Sequence, residues 1–122
     1  MGYSLTMDSG IRWWPVYDQG VRLIVKSLME HFAGDPLLQR ELVARERSFE
    51  AVDDFSLERL PPACATAVRA VVDELVAQGP EAYESVAARH AWDGCHAEMV
   101  EFQRLLAGEG ERGQSHYPRQ SP

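Results

Sequence analysis

Apolar residues recur at helical spacing through most of the chain. Val21, Ile24, Val25, Leu28 and Phe32 fall at i, i+3, i+4, i+7 and i+11, one face of a 3.6-residue period. Pro15 suits a first helical turn, where a missing N–H is not needed, so this helix is predicted from Pro15 to Phe32. Gly34 stops it. Asp35-Pro36 restarts a second helix, which Leu37, Leu38 and Leu42 carry to about Glu46. Pro61-Pro62 opens a third, running to Gln78, with the cleanest stripe in the sequence: Ala67, Val68, Val71, Val72, Leu75 and Val76. Gly79-Pro80 closes it and opens a fourth, holding Tyr83, Val86, Ala87 and His90. Asp93 is placed to cap a fifth, in which Cys95, Met99, Phe102 and Leu106 repeat at i, i+4, i+7 and i+11.

Three stretches break this pattern. Tyr3, Leu5 and Met7 alternate with small or polar residues, but a lone strand without a partner is unstable, so residues 1–14 read as an extended arm. Residues 47–60 lose the period yet keep Phe49, Val52, Phe55, Leu57 and Leu60, which predicts a loop pinned to the core with one turn at Ser56–Arg59. From Gly108 onward almost nothing is apolar, and the segment cannot offset its ordering entropy. The expected fold is therefore all-α: a single helical domain over residues 1–107, a bundle of four or five helices with the third central. An irregular N-terminal arm precedes it and a disordered, flexible tail follows over residues 108–122.

Composition narrows the class. A chain of 122 residues suits one domain with a sizeable core. Its 45% hydrophobic and 25% charged residues exclude disorder throughout, and two cysteines exclude a disulfide-stapled scaffold. No window holds the roughly 20 apolar residues of a membrane span. The opening MGYSLTMDSG lacks the basic-then-apolar layout of a signal peptide, which predicts a cytoplasmic protein. The formal net charge is −7, and both halves of the chain are negative. That balance disfavours duplex nucleic acid and membrane partners and suits either a basic partner or simple solubility.

Candidate chemistry is sparse. His96-Ala97-Glu98 has the H-x-E form of a zinc deaminase, but Pro62-Ala63-Cys64 lies upstream and lacks the second cysteine of P-C-x-x-C. A looser zinc site from Cys64, His90, Cys95 and His96 lacks close cysteine pairs. Cys95 near a helix start, with His90 or His96 as base, has the elements of a nucleophile but no oxyanion hole marked in the sequence; the plainer reading is a buried structural thiol. Phosphate loops, G-x-S-x-G and H-E-x-x-H are missing. No catalytic residue, metal or cofactor is assigned, and the expectation is a non-enzyme. The rival is a small enzyme or metal-binding domain built on His90, Cys95 and His96; a third reading is a homo-oligomeric helical scaffold. Of the aromatic cluster, Trp14 and Tyr17 are placed in the core or at its edge and Trp13 is left open. The strongest positive feature is an acidic loop: Glu46, Glu50, Asp53, Asp54 and Glu58 against Arg47 alone. Its carboxylates form either a solvated loop or a surface that steers a basic partner.

Taken together, the small acidic helical chain resembles a bacterial immunity protein of a polymorphic toxin system, of the contact-dependent growth inhibition type. The resemblance covers roughly residues 11–107 and rests on Trp13-Trp14, FSLERLPPACATAVRAVVDELVAQG and HAWDGCHAEMVEFQRLL. It implies a cytoplasmic inhibitor that binds one cognate toxin domain, often a basic nuclease. Such proteins share no catalytic or ligand motif, so the resemblance assigns no residue a role. The partner-binding candidates remain Glu46, Glu50, Asp53, Asp54 and Glu58.

Overall fold

A computed structural model describes residues 4–52 and 54–108, with the side chains of residues 50–52 left aside. The expected tail from residue 109 lies outside the described residues. Four helices dominate: α1 (Gln19–His31), α2 (Pro36–Val52), α3 (Pro62–Gln78) and α4 (Trp92–Ala107). They are joined by a three-stranded sheet of β1 (Ser4–Thr6), β2 (Arg12–Trp13) and β3 (Asp54–Ser56). The fold is thus mostly α, with 66% helix, and the all-α expectation is corrected by the sheet.

The sheet accounts for two of the three irregular stretches. β1 lies in the middle, antiparallel to β2 and parallel to β3, with Leu5 opposite both Trp13 and Phe55. These three side chains are buried. The N-terminal arm is therefore a strand with two partners: β2, a few residues on across a tight turn, and β3, some 50 residues away, where no local rule could find it.

α2 continues six residues past the predicted end. Leu38, Leu42 and Phe49 are buried at i, i+4 and i+11 of one stripe. The position at i+7 is Arg45. Its aliphatic stem lies along the stripe and its guanidinium reaches out to donate to the Ser56 carbonyl at 2.9 Å and the Glu58 carbonyl at 2.7 Å. A charged residue in the apolar register hid the last turns of this helix.

α3 spans the predicted limits and packs against α1 on one side and α4 on the other. Val68 and Val72 are fully buried between them, and Val71 is only partly covered. Cys95, Met99, Phe102 and Leu106 of α4 are buried as their spacing predicts. The expected fourth helix is instead two 3-10 turns, Pro80–Tyr83 and Arg89–Ala91. One large apolar side chain, Tyr83, anchors that stretch, too little to hold a full amphipathic helix in place.

Val72→Asp should unfold the domain. An unpaired charge at a site of zero exposure costs about 4 kcal/mol or more, a large part of the ~5–15 kcal/mol that stabilises a small domain. Thermal melting followed by circular dichroism checks this; an unchanged melting temperature contradicts the packing.

Candidate functional site

The acidic candidates do not form one outward surface. Asp54 turns onto the polar face of the sheet. Its Oδ1 accepts from Ser4 Oγ at 2.5 Å and Thr6 Oγ1 at 2.9 Å. Ser4 and Thr6 are buried polar residues, so this carboxylate satisfies hydroxyls that would otherwise be left without water. Thr6 Oγ1 in turn accepts from Arg12 Nε at 3.0 Å. Glu58 is exposed and Glu46 half-buried. Asp53 and the side chain of Glu50 lie outside the described residues.

The two adjacent tryptophans have opposite fates. Trp13 is buried, stacked on Phe102 with ring centroids 4.4 Å apart and planes 2° from parallel. Gly20 makes room for it: a Cβ there would lie 3.1 Å from the indole. Because neighbours on an extended chain face opposite ways, Trp14 is turned outward and keeps 42% of its surface exposed. Val16, two residues on, is 79% exposed. The expected burial of Trp14 does not occur, while Tyr17 does lie at the core edge, over the bare Cα of Gly94.

This exposed Trp14–Val16 pair sits on a segment held from both flanks. On the sheet side, the Arg12 guanidinium lies 5.9 Å from the centroid of the Trp14 ring and is itself tied into the Asp54–Thr6 chain. On the α4 side, Glu98 accepts from two consecutive backbone amides: Val16 N–H to Oε2 at 2.5 Å and Tyr17 N–H to Oε1 at 3.1 Å. Those amides would be early donors of the helix predicted from Pro15. In the structure α1 begins only at Gln19, so these amides precede it and take their acceptors from Glu98. Burial pushes the Glu98 carboxyl above its ordinary value, against the pull of the two amides.

The rival set of His90, Cys95 and His96 does not converge. His90 is exposed on a 3-10 turn and Cys95 is buried in the core stripe. His96 Nε2 lies 3.1 Å from the Val76 carbonyl, which can only accept, so that nitrogen carries the proton. Cys64 and Cys95 are both free thiols. Burial raises the Cys95 pKa to about 11, helped by the charges of Glu98 and Asp18. Among the described residues no three His, Cys, Asp or Glu side chains form a cation cage. Likewise, no described helix is long and apolar enough to cross a membrane. An open cleft of about 370 Å³ lies between Gln78, Glu81, Arg89, Trp92 and Asp93. Its indole is fixed by Trp92 Nε1–H donating to the Ala87 carbonyl at 3.0 Å, and the Arg89 guanidinium lies over the ring at 4.9 Å.

Compared with protein-family models, curated proteins and solved structures, the chain finds no match.

Two outcomes follow from this geometry. Asp54→Ala should lower stability by about 1–3 kcal/mol, the cost of removing the carboxylate that both buried hydroxyls donate to, whereas Glu58→Gln should leave it within about 0.5 kcal/mol. Urea titration of both variants measures the difference, and equal midpoints contradict the inward role of Asp54. With a thiol near 11, only ~0.1% of Cys95 is thiolate at pH 8, so iodoacetamide should leave the native protein unmodified and label it only after unfolding. Mass spectrometry reads this directly; rapid native labelling of Cys95 contradicts its burial.

Proposed function

We propose that this chain is an immunity-type inhibitor: a binding module that docks on a basic toxin domain and blocks its active site or substrate entry. The observation that carries the reading is the Trp14–Val16 surface. Tryptophans are among the residues that most often carry the energy of a protein interface, and Val16 adds apolar area on the same exposed segment. Here Arg12 and Glu98 hold the segment, and Asp18 and Glu101 add negative charge beside it. The net charge of −7 provides long-range attraction for a basic partner and repels nucleic acid, the substrate such a toxin would otherwise reach. The acidic residues Glu46 and Glu58 then serve as steering charges, and Asp54 as an internal support for Arg12.

The resemblance in Trp13-Trp14 and in the α3 and α4 sequences supports the same reading. It directs the test to the C-terminal domain of any large secreted protein whose gene adjoins that of this chain. Co-expression of this chain should rescue cells producing that domain. Trp14→Ala combined with Val16→Ser should weaken binding by at least about 30-fold, the equivalent of ~2 kcal/mol, with an unchanged melting temperature. Titration calorimetry and growth rescue check it. Full rescue by the double variant excludes this surface; lack of rescue by the native chain excludes the function.

A further inference from the structure

We infer that Glu98 is the positioning residue of the Trp14–Val16 surface, fixing the segment's backbone so that both side chains are presented in one rigid arrangement. The inference rests on the proposed function only for what the surface is used for. The positioning itself stands on geometry within the chain.

Three observations carry it. First, the two hydrogen bonds fall on consecutive amides, Val16 and Tyr17, and use both carboxylate oxygens. A bidentate grip of this kind fixes the direction of the chain as well as its distance from α4. Second, the backbone at Val16 is not held by its own side chain. Val16 is 79% exposed, so its side chain gives almost no packing to hold it. Tyr17 rests over Gly94, where any Cβ would come within 2.5 Å of the ring; α4 therefore offers a flat bed but no polar bond there. Third, the carboxylate occupies a costly place. It is half-buried, and the titratable groups near it include Cys95 and Glu101 on its own helix and Tyr83 on the 3-10 turn. A charge held among acids and apolar groups, with two backbone amides as its hydrogen-bond donors, does little for overall stability. Its role is local.

The sign of its linkage makes the role separable from folding. The folded-state pKa is raised, so Glu98 contributes stability below the ordinary carboxyl range and loses it as pH rises through the raised value. Neutralising the side chain at pH 7 therefore removes a desolvation penalty while it weakens the grip. A merely structural residue would lower melting temperature and loosen the segment together.

Hydrogen exchange of the full chain alone, followed by NMR at the Val16 and Tyr17 amides, tests this. In Glu98→Gln, one acceptor oxygen is replaced by a donor. Exchange at these two amides should rise at least tenfold while the melting temperature at pH 7 stays at or above that of the native protein. Glu98→Asp, too short to reach both amides but still charged, should raise exchange as well. It covers the case in which Glu98→Gln does not fold. Glu101→Gln, a neighbour that makes no such bond, should leave both amides unchanged. Native-like exchange in either folded Glu98 variant overturns the inference. So does a rise shared equally by core amides such as Val72. Because no partner enters this measurement, its failure is distinct from failure of the toxin-binding reading, which growth rescue decides.

Discussion

The stack of Trp13 on Phe102 is the joint on which the other contacts depend. It fastens the sheet, through β2, to the last helix of the domain. Gly20 and Met99 line the same spot, so α1 and α4 meet beneath one indole. A nearly parallel aromatic contact of this area is strong but also directional. Once Trp13 faces inward, the pleat of the chain leaves Trp14 no alternative to solvent. The outward turn of Trp14 is therefore a by-product of core packing at the preceding residue, while the backbone just beyond it is held by Glu98.

The helical framework was legible because its period was intact. Val68, Val72, Cys95, Met99, Phe102 and Leu106 announce themselves by spacing, and the helix faces they predict are the buried ones. Legibility fails where a residue acts against its type. Arg45 occupies an apolar register of α2 because its guanidinium closes the carbonyls of Ser56 and Glu58, and the pattern ends there for any reader of hydropathy. The sheet was invisible for another reason. Two- and three-residue strands carry too little pattern, and the parallel pairing of β1 with β3 is decided by tertiary contacts.

The candidate site was less legible still. Counting carboxylates treats Asp54 as one more outward charge, but its partners are buried hydroxyls on a strand that sequence reading did not place. Glu98 was noticed only as part of an H-x-E string. Its actual use, accepting from the amides of a segment 81 and 82 residues earlier, depends on the meeting of two distant pieces of chain. The one trace available in the sequence was Gly20, a poor helix former in what would be the second turn of a helix starting at Pro15.

These long closures have a consequence for when the surface exists. Trp14 and Val16 are made early in synthesis, yet the side chain that orients them belongs to the final helix. Until α4 docks, the segment is loose aromatic chain with no defined shape, and contacts so far apart in sequence are slow to form. A chain without α4 lacks both the Glu98 acceptors and the Phe102 stack that hold this segment. The geometry of Trp14 and Val16 is thus a late product of folding, completed by the same helix that closes the core.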